Sequence, residues 1–467
     1  MSKKAWEYEL EWISEAVPPA VEGDQEEEWL KYVEAGNASD EQLFRDWYSE
    51  VPGSKAPGHL VPAAIACMAQ RGYDVSAAEA LIDEGLAAAE AKDGGALQRI
   101  TARIFHELNT APEIPGHPYF GYRRYRTFAD AAEDAAFPEA AEYDVSGKDF
   151  EARVRAGWTG QLIGGCLGTQ IEGYTTANIR KRFGEIRGYL RRPETYNDDI
   201  TYELAWLDVF AEKGYDIAPA DVAGGWLDLI SEGYSAEKTA LANLRRGLLP
   251  PGSGTELNYF SDWIGAQMRT MVHGMAAPGD PALAARLAAD DSIVSHSNSG
   301  MIGGIFNAVL VSLCFTETDM RTAVEKTVAA MPARSEYAAV VRFALEQCRG
   351  SADWESAWAA CAERLKEYHW IHAYPNAAAE IIALWFGNMD FDETAHIIAM
   401  EGMDVDCTAA PVLNALAVMT GPDAVGARWI DPIGDEIRTT MRRMKRLKIA
   451  DLCAKQVEAV RRARAGK

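Results

Sequence analysis

No run of about 18 consecutive apolar residues occurs in the 467-residue chain, so no membrane-spanning helix is expected. The start, Met1-Ser2-Lys3-Lys4-Ala5-Trp6-Glu7-Tyr8-Glu9, lacks the apolar segment of a signal peptide, and a soluble, cytoplasmic protein is the expectation. Positive charge is scarce: 46 Lys and Arg stand against 70 Asp and Glu, a net charge of −24. Polyanions and anionic membranes are bound through clustered Lys and Arg, so general affinity for nucleic acid or membrane is excluded. A nucleotide-sized ligand held by a few local basic residues is not. Cysteine is sparse and unpatterned: Cys67, Cys166, Cys314, Cys348, Cys361, Cys407 and Cys453 stand singly, an odd number that predicts reduced thiols, mostly in the core. A zinc site is not expected either, since His369 and His372 have no third ligand spaced nearby.

What the chain does have is two acidic turns, each leading into an apolar, helix-periodic run. Tyr196-Asn197-Asp198-Asp199-Ile200-Thr201 precedes Tyr202 to Ala211, and Gly402-Met403-Asp404-Val405-Asp406-Cys407-Thr408 precedes Ala409 to Met419. Neither contains Lys or Arg. Adjacent carboxylates ahead of a helix suit a hard cation such as magnesium, because their oxygens leave the loop in different directions while the helix holds the backbone. In an extended loop the i, i+2 spacing of Asp404 and Asp406 would place both on one side. The other reading of either turn is helix capping, which Asp and Asn favour.

A third stretch joins them. Gly160-Gln161-Leu162-Ile163-Gly164-Gly165-Cys166-Leu167-Gly168, ending in Glu172, forms a Gly-rich opening helix. In this order the three stretches resemble the ADP-ribosylglycohydrolase family, over roughly Asp149 to the C-terminus. The resemblance implies an all-α fold, a compact orthogonal helical domain, with one or two magnesium ions (manganese as substitute) between the turns and hydrolysis of a bond at the anomeric carbon of a ribose. Asn197, Asp198, Asp199, Asp404 and Asp406 would hold metal; Asp198, Asp199, Asp406 and Glu172 would be catalytic. The substrate would be a small ribosyl or nucleotide-like molecule. Departures are Gly165, where the family usually has Asp, Asn197 in place of Thr, and Val405 and Cys407, where threonines are frequent. Sulfur is a poor magnesium ligand, so Thr408 or water would fill in. These departures keep open a hydrolase of the same fold acting on a smaller nucleoside or other glycoside, and a non-catalytic structural or binding protein in which the acids only cap helices.

Further signals are weaker. Ser295-His296-Ser297-Asn298-Ser299-Gly300 opens an apolar helix whose first amides suit a sugar hydroxyl or phosphate, or are an ordinary cap with His296 in the core. His372 and Asn376, before the helix Ala377 to Phe386, match a polar pair in one branch of the family. His296, Asn298, Ser299, Gly300, His372 and Asn376 are therefore the expected substrate contacts. Arg180, Lys181, Arg182, Arg187, Arg191 and Arg192 form a basic cluster, either a solvated face or a source of phosphate contacts.

Two regions are expected. Residues 1–148 read as an acidic helical extension, including a helix pair from Ser76 to Leu108 broken at Gly94-Gly95. Its aromatic, basic loop Ile114 to Arg126 either docks on the rest of the chain or reaches over a pocket. Residues 149–467 read as the glycohydrolase-like domain. The density of Gly157, Gly160, Gly164 and Gly165 predicts another element packed closely on the opening helix, since helical Gly costs about 1 kcal/mol relative to Ala. Arg438 to Lys467 reads as a closing helix with a solvated basic face.

Overall fold

The computed structural model describes residues 3–18 and 25–466; Met1, Ser2 and Lys467 of the stretches above lie outside them. The fold is all-α. The described residues contain only three two-stranded antiparallel ribbons beside the helices.

At its centre the opening helix Lys148–Gly168 lies against Val405–Thr420. The glycine stripe makes this approach possible. An added Cβ would stand 2.3 Å from the Leu413 carbonyl oxygen at Gly160, 2.3 Å from the Ala409 carbonyl at Gly164, and 2.1 Å from the Asp406 amide nitrogen at Gly168. Backbone therefore meets backbone, as the glycine density predicts. Gly165 points elsewhere: its missing Cβ faces the Asn197 amide nitrogen at 3.2 Å.

Around this pair pack Asn298–Cys314, every residue of which is buried, Ala373–Phe386 and Phe391–Glu401. Apolar residues on all sides of a helix mean that it sits inside the protein rather than on its surface. Ile449–Ala465 closes the structure on the outer side of the opening helix, where the Trp158 indole donates to Gln456 Oε1 at 2.5 Å. Its basic residues face outward onto carbonyls and acids, Arg461 onto Glu151 at 2.9 Å. All seven cysteines are free and buried.

Residues before the opening helix form their own small helical cluster. The break in the expected pair falls at Ala91 to Asp93, not at the glycines: Ile82–Glu90 ends, Lys92 adopts φ +55°, and Asp93 caps Gly94–Thr110 by accepting from the Ala96 amide. A capping carboxylate outweighs the weak helix propensity of the two glycines that follow it. A short helix, Ser76–Glu79, precedes the pair.

This region is tied to the rest of the chain. Arg71 donates to Asp262 at 2.7 Å and to Ser261 at 3.0 Å, and Lys238 pairs with Asp46 at 2.8 Å. The loop Ile114 to Arg126 docks: Tyr125 is fully buried, exchanges backbone and side-chain hydrogen bonds with Asn298, and donates its hydroxyl to Asp134. Its arginines are engaged locally, Arg123 with Glu133 and Asp134, Arg124 over the rings of Tyr119 and Phe120.

Candidate functional site

Two helix starts bring the acids together. Asp198 and Asp199 stand at the start of Asp199–Lys213, and Asp404 and Asp406 at the start of Val405–Thr420. Asp404 occupies the position just before the helix and Asp406 lies within its first turn, so the pair does not sit on the extended loop that the i, i+2 argument assumed. The carboxylates converge because the first helical turn curls Asp406 back toward the residue preceding the helix.

Capping does not account for these acids. Asp93, Asp280, Asp319, Asp353 and Asp390 each accept a hydrogen bond from an amide in the first turn of the helix they begin. Asp198 and Asp404 occupy the same position and make no such bond. Asp199 Oδ2 is buried and without any hydrogen-bond partner. A buried, unpartnered carboxylate oxygen is costly unless something else satisfies it.

The second turn is held against the Glu172 segment by a short ribbon, Tyr174–Thr175 paired with Gly402–Met403. Gly402 has φ +80°, and a Cβ there would lie 2.2 Å from the Tyr174 carbonyl oxygen. Met403 also adopts positive φ, +65°, an uncommon conformation for a residue with a side chain, directly before Asp404. The Asn376 amide braces the turn by accepting from Asp404 N–H at 3.2 Å and donating to the carbonyls of Trp370 and His372.

Glu172, Asp199, Asp404 and Asp406 are buried, while Asp198 keeps a face open to solvent. Removal from water, then the charges of Asp406 and Asp404, push the Glu172 carboxyl well above its usual range. Burial followed by Asp406 does the same to Asp199 and Asp404. Asp198 rises to about 6, through the protein crowded around it and then the Asp406 charge, despite its open face. Like charges gathered in a poorly solvated place either hold protons or share a cation. The carboxylate oxygens suit a hard divalent ion, although the ligand atoms that lie within 4.8 Å of one another among the described residues are those of Asp404, Asp406 and the Cys407 sulfur.

Asn197, an expected metal ligand, links the two turns: its Oδ1 accepts the Asp199 amide at 2.7 Å and its Nδ2 donates to Asp406 Oδ2 at 3.3 Å. It fits the space left by Gly165. Cys407 lies near Asp404 and Asp406 and donates its thiol toward Asp199 Oδ1 at 3.6 Å, with Met268 Sδ at 3.5 Å on its other side. Burial and the Asp199 charge push that thiol up, keeping it protonated. Thr408 turns its hydroxyl back onto the Asp404 and Val405 carbonyls, which is helix bonding.

The expected substrate contacts divide. Asn376 borders the acids as a brace. Asn298, Ser299 and His372 belong to a second polar cluster around Asp262, whose Oδ1 accepts the Ser299 amide at 3.1 Å; Ser299 Oγ meets the Tyr374 hydroxyl at 2.7 Å. His372 Nδ1 accepts the Tyr374 amide. Gly300 is pressed on the Ser261 carbonyl, 2.3 Å from where a Cβ would be. The amides at this helix start thus face Asp262 and the docked Tyr125 segment.

His296 is fully buried between Ser295 Oγ, 2.7 Å from Nδ1, and Glu237 Oε1, 3.8 Å from Nε2; burial and Arg269 hold it neutral. Arg269, also fully buried, joins Glu237 at 3.0 Å and Asp291 at 2.8 Å, under the faces of Tyr202 and Trp226. Burial raises Glu237 to about 7 against the pull of Arg269, and the Asp198 charge contributes. Tyr234 feels the charges of Asp404, Glu172 and Asp198. Sequence reasoning passed over Tyr234 and Glu237, which open an unremarkable helix, Ser235–Arg245, with no spacing to mark them.

The chain resembles known proteins as follows. The profile of the family described as ADP-ribosylglycohydrolase matches residues 146–463. An uncharacterized protein of Archaeoglobus fulgidus is 26% identical over 308 residues, covering 61% of this chain and 93% of that protein. A solved structure described as an ADP-ribosylglycohydrolase-related protein complex is similar with a TM-score of 0.50 at 20% identity, over 68% of this chain and 100% of that one.

Proposed function

Because the chain belongs to the ADP-ribosylglycohydrolase family, we propose that it hydrolyses an N-glycosidic bond to a ribosyl group in a metal-dependent reaction. The observation that carries this reading is the convergence of Glu172, Asp198, Asp199, Asp404 and Asp406 with the two helix-cap positions unused as caps. Asp198, Asp199, Asp404 and Asp406 would hold magnesium, one ion or two. When bound, the cation would supply positive charge to fix a ribose hydroxyl or water and to oppose the carboxylates.

The chain's own groups would do the rest. Scission at the anomeric carbon passes through an oxocarbenium-like state, which a ring of carboxylates stabilises electrostatically. Asp198, the one acid with a face to solvent, is placed to orient water and take its proton. Glu172, buried beside Asp406, is placed to contact the sugar or hold a proton for the leaving group. Asn197 and Asn376 keep Asp406 and Asp404 in position. Residues 149–467 would form the catalytic domain and 1–148 an extension shaping its mouth. The Tyr174 hydroxyl donates to the Ser54 carbonyl, and Ala56 packs on Gly173, next to Glu172. That covering favours, as a second reading, a smaller glycoside than an ADP-ribosylated protein.

Calorimetric titration of magnesium into metal-stripped protein, with Asp404→Asn as control, tests the first step. Saturable binding lost in the variant supports the reading and opens a screen of ADP-ribosyl-arginine, ADP-ribosyl-serine and simple nucleosides. No binding at millimolar magnesium would leave a structural or binding protein of this fold.

A further inference from the structure

The basic cluster ahead of the first acidic turn does not behave as one solvated face. Arg180 is spent on Glu185 and Glu355, and Arg187 on Glu393 at 2.8 Å. Arg191 and Arg192 differ: both are exposed and neither guanidinium has a partner among the described residues. With Arg428 they line a surface recess of about 410 Å³, the size of a small-ligand site. Three arginines thus line one concavity, two of them without an acidic partner among the described residues, in a chain of net charge −24.

The floor beneath them is firm. Tyr189 and Trp429 pack edge to face at 5.1 Å, the Tyr189 hydroxyl donates to the Trp429 carbonyl at 3.0 Å, and the Trp429 indole donates to Asp392 at 2.6 Å. Arg428 lies over the Trp429 ring and pairs with Asp392 at 2.7 Å, which leaves part of its fork for another acceptor. Glu194 is the next acid along the chain, and it pairs with none of the three arginines. The backbone beside the recess is tied to the segment that leads into Glu172: the Arg191 amide donates to Gln170 Oε1 at 2.9 Å, two residues before Glu172.

We propose that this recess is a phosphate-binding subsite, distinct from the acid cluster, that takes the diphosphate of a nucleotide-like ligand. Planar guanidinium forks match phosphate oxygens in pairs, and a diphosphate presents enough oxygens to engage all three. The proposal rests on the hydrolase reading only for the wider identity of the ligand; the anion site stands on Arg191, Arg192 and Arg428.

The experiment is titration of inorganic pyrophosphate, and in a second arm ADP, into the full chain by calorimetry in EDTA, so that no cation can bring an anion to the carboxylates. Saturable binding is expected, weakened at least tenfold in Arg191→Gln/Arg192→Gln and weakening with added salt. Both arginines are exposed, so the double variant should keep its circular dichroism and melting temperature. Asp404→Asn should bind pyrophosphate like the parent, which separates this site from the metal reading. Absence of binding at millimolar pyrophosphate, binding unchanged in the double variant, or binding lost in Asp404→Asn would each overturn the proposal.

Discussion

Replacing Gly168 by Ala tests how Asp406 is placed. The added methyl would stand 2.1 Å from the Asp406 nitrogen, 2.3 Å from its Cα and 2.3 Å from the Val405 carbonyl carbon, where ordinary contact begins near 3.4 Å. All three atoms are backbone at the start of Val405–Thr420, so relief requires that turn to retreat by about 1 Å. Overpacking of this sort costs about 1–3 kcal/mol, offset by about 1 kcal/mol from the better helix propensity of Ala. The net loss of stability is therefore modest, a melting temperature a few degrees lower at most. The effect on the site is larger. A shift of about 1 Å in a reacting or ligating group can cost on the order of 100-fold, so magnesium affinity by calorimetry should fall tenfold or more. Gly224→Ala is the control, because Gly224 is exposed in the helix Pro219–Leu229 and nothing lies within 4 Å of its added methyl; it should keep magnesium affinity and gain up to about 1 kcal/mol. If Gly168→Ala retains both the melting temperature and the magnesium affinity of the parent, the helix contact is not what places Asp406.

Other expectations are independent of that one. Cys407→Ser should keep or strengthen magnesium binding, because the hydroxyl can donate to Asp199 as the thiol does and is the harder ligand; a clear weakening would assign the sulfur to the cation. Burial pushes Glu380 up to about 8, against hydrogen bonds from Gln267 and Asn307 that favour its ionised form. Its folded pKa thus exceeds the usual 4.5, the unfolded chain ionises first, and stability falls as pH rises from about 4.5 to 8. Glu380→Gln should remove that slope, gaining about 3 kcal/mol more at pH 8 than at pH 5 in denaturant unfolding; equal gains at both pH values would refute it. Arg71→Ala leaves Asp262 buried without its cation and should destabilise by about 3 kcal/mol with faster proteolysis before residue 148. A change under about 1 kcal/mol would show the pair to be solvated.

The sequence by itself determined the helical class, the glycine stripe and the identity of the acids. The 3.6-residue apolar period around Tyr202 and Ala409 requires helices, and the glycines at 160, 164 and 168 lie where another backbone comes close. Tertiary structure decided which of those acids cap a helix and which do not. An Asp before a helix looks the same in sequence whether it caps or not: Asp93 and Asp404 are indistinguishable until the structure leaves the second without an amide to accept. It also decided that Asn197 bonds both the Asp199 amide and Asp406, and that Asn298 and Ser299 answer to Asp262 and Tyr125. Glu237, Tyr234 and Arg428 carried no local signal, since each owes its place to segments brought near by folding. Periodicity reports which face of an element is buried. Which atoms then meet across that face depends on contacts between residues about two hundred positions apart, as with Asn197 and Asp406.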